Sequence, residues 1–212
     1  GTGAFSIIEE IFGSTRGKRV TIFCGKGNNG GDGFVIARLC HRKQAKVQVC
    51  LLASSRDLQN DAKIMYQRFV KLAGSSKVFC YPSENKIAQL LGNSDLLIDA
   101  MLGTGISSPI KEEHRMVVEA MNRSRIPTIA IDLPTGIHGD TGEILGSAVR
   151  AKATITFGCP KLGLFLGQAI DYTGTIHKVD IGIPPEYIKE MNVTTSLITH
   201  ESIHALLPPR LT

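Results

Sequence analysis

Glycine is combined with amide and carboxyl side chains in one segment near the start of the 212-residue chain. The segment reads Gly25-Lys26-Gly27-Asn28-Asn29-Gly30-Gly31-Asp32-Gly33 and contains the GxGxxG pattern. Glycines in such a segment let backbone N–H groups approach an anion, and a helix that starts there adds positive potential. The adjacent amides of Asn28 and Asn29 add further donors and acceptors. We therefore favour a phosphate-type site over a plain turn, the alternative that asparagine's tolerance of left-handed backbone would explain.

Two further segments place an acid directly after an apolar run. Asp99 closes one run and precedes Gly103-Thr104-Gly105-Ile106-Ser107-Ser108-Pro109, a hydroxyl-rich segment suited to phosphate or ribose contacts. Asp132 closes the next run, three residues before Thr135. Together with Asn29, these residues offer amide, carboxylate and hydroxyl oxygens, which suit a hard cation. The group contains no cysteine or histidine, which argues against zinc.

Short apolar runs rich in β-branched residues alternate with longer segments of helical periodicity, a pattern typical of a doubly wound α/β fold. Several runs are continuously apolar, as in parallel strands that helices cover on both faces. We expect a three-layer, Rossmann-like, mostly parallel sheet whose ligands bind beyond the carboxyl ends of the strands. The predicted strands are Arg19–Cys24, Lys46–Ala53, Lys77–Tyr81, Leu96–Asp99, Thr128–Ile131, Ala153–Phe157 and Thr175–Ile181. The predicted helices are Gly33–Arg42, Leu58–Leu72 and Glu112–Met121.

The composition is that of an ordinary globular protein, with 42% hydrophobic residues and a net charge of +5. No apolar stretch approaches the roughly 20 residues of a membrane helix, and the N-terminus has no secretory-signal pattern. The basic residues are scattered, so the charge does not favour a nucleic-acid partner. An odd number of cysteines without a CxxC pair predicts buried free thiols in a reducing compartment, which favours the cytoplasm. These cysteines are Cys24, Cys40, Cys50, Cys80 and Cys159.

Three patterns of other enzyme classes are present only in part. His200-Glu201-Ser202-Ile203-His204 matches the HExxH of zinc proteases, but a helix with an acidic first turn explains it. Asp140-Thr141-Gly142 matches one loop of the aspartic proteases, which need two, and we expect a turn there. An ordinary dehydrogenase needs an acid at the tip of the second strand, which here ends Leu51-Leu52-Ala53-Ser54 without one.

The assembled segments resemble the NAD(P)H-hydrate epimerase family, the YjeF N-terminal domain. The matching stretches are GKGNNGGDGFVIAR at 25–38, LLIDAMLGTGISSPI at 96–110, AIDLPTGIHGDTGEILG at 130–146 and TFGCPKLGLFLGQAIDYTGTIHKVDIGIP at 156–184. Residues around Gly3–Phe12 resemble the end of the family's longer N-terminal helical segment. HALLPPR resembles the junction to an ADP/ATP-dependent dehydratase domain in bifunctional members. We therefore expect an epimerase domain over residues 1–207 and the start of a linker to an absent C-terminal domain over 208–212.

The resemblance implies interconversion of the R and S forms of hydrated NADH and NADPH, called NADHX and NADPHX. It implies substrate binding by Asn28–Asp32, Gly103–Pro109 and Asp132, one K⁺ ion per subunit at Asn29, Asp99 and Thr135, and a homodimer. Asp132 is our candidate acid–base group. Lys161 is a lesser candidate, with a surface or phosphate-pairing lysine as the alternative. The rival function is a non-catalytic nucleotide-ligand-binding or dimerisation module of the same fold.

Overall fold

The described part of the computed structural model comprises residues 1–191, 193, 195–198, 202 and 203. The chain divides into two compact units, Gly1–Asp180 and Ile181–Thr212. The first unit contains the whole sheet, and the second contains a short helix that begins at Pro185. The expected domain boundary at 207, the linker at 208–212 and three residues of the HExxH pattern lie outside the described residues. The expectations for them stay predictions.

Seven parallel strands form one sheet, so the sheet is more regular than the mostly parallel one expected. The strands are β1 (Arg19–Cys24), β2 (Lys46–Leu51), β3 (Val78–Cys80), β4 (Leu96–Ala100), β5 (Thr128–Ile131), β6 (Ala153–Phe157) and β7 (Thr175–Val179). Their order is β3-β2-β1-β4-β5-β6-β7, which places the reversal of topology between β1 and β4. Ligands of doubly wound folds bind at the carboxyl end of this position.

Helices connect most of the strands, and one of them begins earlier than predicted. The helices are α1 (Thr2–Phe12), α2 (Asn28–Arg42), α3 (Asn60–Ala73), α4 (Glu84–Gly92), α5 (Glu112–Ser124), α6 (Ile170–Thr173) and α7 (Pro185–Glu190). The sequence pattern placed the start of α2 at Gly33 and gave no helix at α4. The hydroxyl of Ser83 caps α4 by accepting a hydrogen bond from the Lys86 N–H at 3.4 Å. The prediction relied on apolar periodicity, which is weak in so short a helix, and it did not use this capping residue.

The core lies on both faces of the sheet. Neighbouring residues of β1 point to opposite faces, as the pleat of a strand requires. Ile22 belongs to the cluster with Phe34 of α2, and Phe23 belongs to the cluster with Leu90 of α4 and Val117 of α5. The predicted three-layer, doubly wound α/β fold is therefore confirmed. Within the described ranges, no helix is long and apolar enough to cross a membrane.

The cysteines are free, as predicted, but only some of them are buried. Cys24, Cys40 and Cys50 lie in the interior, whereas Cys80 and Cys159 are exposed. Cys80 belongs to β3, which lies at the edge of the sheet, and Cys159 follows β6 in a loop. The expectation of burial is wrong for these two thiols because neither position is covered by a helix layer.

Candidate active site

Helix α2 begins at Asn28, within the glycine-rich segment after β1 and five residues before the predicted start at Gly33. Glycine is a poor helix former, but close packing requires it here. A methyl group at Gly30 would lie 1.9 Å from the carbonyl oxygen of Gly25, and one at Gly33 would lie 2.6 Å from the Cys24 sulfur. The glycines therefore bring α2 against the end of β1. Asn28 and Asn29 consequently occupy the first turn of this helix.

Asp99 joins the end of β4 to the segment that follows β5. Its Oδ2 accepts a hydrogen bond from the Thr135 N–H at 2.7 Å, and its Oδ1 accepts one from the Thr135 hydroxyl at 2.7 Å. The Met101 N–H also donates to Oδ1, at 3.2 Å. Burial raises the pKa of the Asp99 carboxyl to about 6, against the opposing effect of these donors. The carboxylate is fully buried, and its hydrogen-bond donors in the described part of the chain are neutral.

Asn29 connects α2 to the same cluster. Its Nδ2 donates to the carbonyl oxygen of Leu102 at 3.1 Å, and the Leu102 N–H donates to the Thr135 hydroxyl at 3.1 Å. Asn29 Oδ1 is buried and has no hydrogen-bond partner among the described residues. The structure thus brings together Asn29, Asp99 and Thr135, the three predicted cation ligands. An unpaired amide oxygen and a buried carboxylate fit a hard cation such as K⁺.

The described residues offer no comparable site for a softer metal. No group of three or more histidine, cysteine, aspartate or glutamate side chains comes together there in a way that would hold an ion. The segment Asp140-Thr141-Gly142 forms a turn between Ile137 and Ile144, as expected.

Asp132 lies at the end of β5 in an unusual backbone conformation. Its φ angle is +68°, in the left-handed region that residues other than glycine rarely adopt. The Asp132 N–H donates to the carbonyl oxygen of Ile155 in β6 at 2.8 Å, which fixes the backbone at this point. The side chain is only 16% exposed. The carboxylate is therefore held at the carboxyl edge of the sheet, as the sequence predicted.

Lys161 pairs with Asp132. Its ammonium group contacts Asp132 Oδ1 and also donates to the Thr156 hydroxyl and the Phe157 carbonyl oxygen, each at 3.2 Å. Three acceptors match the three N–H groups of an ammonium. The Lys161 side chain is 20% exposed. The lysine is therefore a partner of the candidate acid and not a surface side chain.

Gly103 lies where the predicted segments meet. A methyl group at this position would lie 2.9 Å from Asp132 Oδ2 and 3.6 Å from Asn29 Cβ. Lys161 thus holds one oxygen of the Asp132 carboxylate, while the other faces the start of the 103–109 segment. The close approach of Asp132 and Asn29 at Gly103 forms the centre of the candidate active site.

Other predicted substrate-binding residues lie away from the centre of the site at Gly103. A methyl group at Gly31 would face Ala62 of α3, at 3.3 Å from its Cα, and Asp32 contacts the amino group of Gly1. The structure does not bring Gly31 or Asp32 against Asp132. In the second segment, Thr104 packs near Gly139, whereas the remaining residues are exposed or line a cavity. Gly105 and Ser107 are exposed, and Ile106, Ser108 and Pro109 line the cavity.

This cavity has a volume of about 280 Å³ and lies beyond the carboxyl ends of β1 to β4. Asp57 and Tyr81 line it, and the sequence reasoning missed both. Asp57 lies six residues past the end of β2, so a search for an acid that extended into the following turn would have found it. A larger cavity of about 510 Å³ between α4 and α5 contains none of the predicted site residues.

A family model described as YjeF-related protein N-terminus matches residues 1–163. The chain belongs to this family. YjeF-related relatives include a protein of Rhodopirellula baltica named NAD(P)H-hydrate epimerase, 40% identical over 193 residues that cover 91% of this chain and 77% of that protein. A protein of Moorella thermoacetica named bifunctional NAD(P)H-hydrate repair enzyme Nnr is 35% identical over 206 residues. These residues cover 97% of this chain and 39% of the Moorella protein.

The YjeF-related chain thus spans less than half the length of the Moorella relative and about three quarters of the Rhodopirellula relative. Among solved structures, the crystal structure of the yeast protein YNL200c superimposes with a TM-score of 0.73 at 21% sequence identity. The superposition covers 94% of this chain and 84% of the yeast chain. At this level of identity, the likeness supports the doubly wound fold alone.

Proposed function

We propose that this chain is an NAD(P)H-hydrate epimerase, which interconverts the R and S forms of NADHX and NADPHX in nicotinamide nucleotide repair. The names of its relatives support this reaction. The observation that carries the proposal is the position of Asp132 at the carboxyl edge of the sheet. Lys161 holds one oxygen of its carboxylate, and the other oxygen faces the start of the 103–109 segment.

The reaction requires proton transfer at one hydroxyl group and no oxidation or reduction. The hydrate carries its hydroxyl on the carbon next to the ring nitrogen, so the stereocentre is a hemiaminal. Inversion breaks the C–O bond with help from the nitrogen lone pair, or opens the ring at the C–N bond, and then re-forms the bond on the other face. A carboxyl group that donates a proton to the departing oxygen and accepts one on its return assists both directions.

Asp132 is the group that we assign to this proton transfer. The contact with Lys161 at Oδ1 leaves Oδ2 for the substrate hydroxyl. The three acceptors around Lys161 fix the ammonium, so its positive charge stays beside the carboxylate throughout the reaction. Such an arrangement is organised before the substrate binds and needs no rearrangement during the reaction.

The first turn of α2 supplies a site for the diphosphate of the substrate. The first N–H groups of a helix have no partner within the helix, and they carry the positive end of its dipole. Asn28 and Asn29 begin α2 next to Gly103, so an anion bound there lies beside the candidate acid. The 103–109 segment then covers the substrate from the β4 side.

We propose that Asn29, Asp99 and Thr135 hold one K⁺ ion per subunit. The unpaired Oδ1 of Asn29 and the buried carboxylate of Asp99 support this assignment. Asn29, Asp99 and Thr135 would hold the ion, which would supply positive charge to a carboxylate whose described donors are neutral. Because these residues lie on α2, on β4 and after β5, a cation held by them would fix the three segments.

The wider setting is also part of the proposal. We propose a homodimer in the cytoplasm, a location that the five free cysteines support. In a longer protein we expect an ADP/ATP-dependent dehydratase domain after this one, as the names of the bifunctional relatives support. The modest net charge of +5 favours no nucleic-acid partner.

The direct test uses purified R-NADHX. Incubation with the chain, followed by chromatographic separation of the two epimers, should bring the mixture to equilibrium faster than buffer alone. An unchanged rate of epimerisation in K⁺-containing buffer would contradict the proposed function.

A further inference from the structure

We propose that the cavity beyond β1 to β4 binds the adenosine half of the dinucleotide, with Tyr81 stacked on the purine and Asp57 bonded to the 2′-hydroxyl of the ribose. This inference rests on the proposed function and extends it to substrate preference. A carboxylate at the 2′ position favours NADHX, because the 2′-phosphate of NADPHX would meet a like charge.

The position of the cavity relative to Asp132 matches the extent of a dinucleotide. Asp132 follows β5, and Asp57 follows β2, which is three strands away across β4 and β1. Parallel strands lie about 4.8 Å apart, so the ends of β5 and β2 are separated by roughly 14 Å along the sheet edge. Dinucleotides of doubly wound folds lie across this edge, with the diphosphate at a helix N-terminus. The start of α2 lies between the two ends.

The 103–109 segment connects the two halves of this arrangement. Its first residue, Gly103, approaches Asp132, whereas Ile106, Ser108 and Pro109 line the cavity. One segment therefore contacts both the reacting end and the cavity. A volume of about 280 Å³ is just below the range of complete small-molecule sites, which suits one nucleoside and not the whole substrate.

Tyr81 is an exposed aromatic residue held in an unfavourable backbone conformation. Its side chain is 56% exposed, and its φ angle is +43°. The Tyr81 N–H donates to the carbonyl oxygen of Leu51 at the end of β2 at 2.9 Å, which ties the residue to the sheet edge. Left-handed backbone at a bulky residue is concentrated at functional sites. A purine can stack on such a ring without a hydrogen bond to it.

The Asp57 carboxylate is the group that would accept a hydrogen bond from the ribose 2′-hydroxyl. It ends the short turn Ser55–Asp57 after β2, and none of the ion pairs among the described residues uses its carboxylate. In doubly wound folds, an acid after the second strand binds the ribose 2′-hydroxyl, whereas a nearby arginine accommodates a 2′-phosphate. Asp57 lines the cavity, and its neighbour Arg56 is not among the described residues that do.

Two lysines also line the cavity. Lys26 lies between β1 and α2, where the diphosphate is expected, and Lys111 precedes α5 on the β4 side. Glu113 of α5 also lines the cavity on the β4 side, so Asp57 is the charged lining residue on the β2 side. His114 closes another wall; it is 9% exposed, and its Nδ1 has no hydrogen-bond partner among the described residues. A purine edge carries donors and acceptors that can pair with a polar wall of this kind.

The test measures binding of two adenosine nucleotides, so it needs no catalytic activity. Adenosine 5′-monophosphate and adenosine 2′,5′-bisphosphate are titrated into the intact chain and followed by NMR or calorimetry. We expect the monophosphate to bind about 10-fold more tightly. Tyr81→Ala should weaken its binding about 10-fold, and Tyr81→Phe should retain it, because stacking needs only the ring. Asp57→Asn should reduce the preference for the monophosphate to about twofold or less.

Matched controls are exposed residues of the same type elsewhere, Tyr187→Ala and Asp61→Asn, and neither should alter binding. Equal binding of the two nucleotides by the unaltered chain would overturn the role of Asp57. Unchanged binding in Tyr81→Ala would overturn the subsite. The proposed function fails separately, if the nucleotide binds as expected but R-NADHX is not epimerised. If R-NADHX is epimerised while the monophosphate does not bind, only the subsite fails.

Discussion

Lys161 and Asp132 form a pair in which the ammonium of the lysine holds one oxygen of the carboxylate. The Thr156 hydroxyl and the Phe157 carbonyl oxygen accept the remaining N–H groups of the lysine. The other carboxylate oxygen lies 2.9 Å from the position of a methyl group at Gly103. One oxygen is thus used for positioning and the other is available for chemistry, which is the basis of the first three predictions.

Asp132→Asn should reduce kcat for epimerisation at least 100-fold, because an amide cannot exchange the proton that general acid–base catalysis needs. Asparagine tolerates the left-handed backbone at φ +68°, so the fold should be retained. We expect KM to change less than about threefold. The matched control is Asp171→Asn, an exposed aspartate of α6. An Asp132→Asn enzyme within about threefold of the original rate would remove the acid–base assignment.

Lys161→Met should lower kcat about 10- to 100-fold, which corresponds to the roughly 1.5–3 kcal/mol of a hydrogen bond to a charged group. The kcat of Lys161→Arg should lie between those of the unaltered enzyme and Lys161→Met, since arginine retains the charge but not the geometry of the three hydrogen bonds. The effect should appear in kcat and not in KM, because Lys161 acts through Asp132. Lys178→Met, at an exposed position of β7, is the control. A change confined to KM would indicate a phosphate-binding lysine instead.

Gly103→Ala should lower kcat about 10- to 100-fold while the melting temperature changes little. The added methyl group would lie 2.9 Å from Asp132 Oδ2, so the carboxylate has to shift, and small displacements of a catalytic group are costly. Gly92→Ala is a suitable control because nothing lies within 4 Å of the added methyl group. Equal activity of the two variants would show that the Asp132–Gly103 approach does not matter for catalysis.

Replacing K⁺ by tetramethylammonium should lower the activity and the melting temperature. At a K⁺ concentration about 100-fold above its Kd, binding stabilises the fold by about 2.7 kcal/mol, which corresponds to a rise in Tm of roughly 5–10 °C. Asn29→Ala and Asp99→Asn should abolish this rise, as measured by differential scanning calorimetry. A rise of the same size in Asp99→Asn would place the ion elsewhere.

Only two of the five cysteines should react with iodoacetamide in the native protein. Cys80 and Cys159 are exposed. Burial raises the pKa of Cys40 to about 12 and also raises the pKa of Cys24 and Cys50, so these thiols are both inaccessible and un-ionised. Mass spectrometry after timed labelling distinguishes the two groups, and labelling in denaturant should modify all five. Rapid native labelling of Cys24 would contradict the packing of β1 against α2.

Hydrophobic periodicity predicted the sheet well because each strand of the centre is buried on both faces. It also placed Asp99 and Asp132 correctly, since Asp99 lies near the end of β4 and Asp132 directly follows β5. Periodicity failed at α2, because helix propensity disfavours glycine and only the tertiary approach of Gly30 to Gly25 explains the early start. The Lys161–Asp132 pair joins residues 29 apart, a contact that no local pattern specifies. Asp57 was missed because its turn lies beyond the strand end.

The most direct test of the central claim is a coupled rescue assay on mixed hydrates. A dehydratase specific for the S form repairs that epimer and leaves R-NADHX behind. The remaining R-NADHX is then repaired only as fast as it epimerises spontaneously. Adding this chain in K⁺-containing buffer should restore NADH from the stalled fraction well above that rate, and Asp132→Asn should not. If the unaltered chain leaves the stalled fraction at the spontaneous rate while still binding nucleotide, the site is a binding module and the epimerase assignment is wrong.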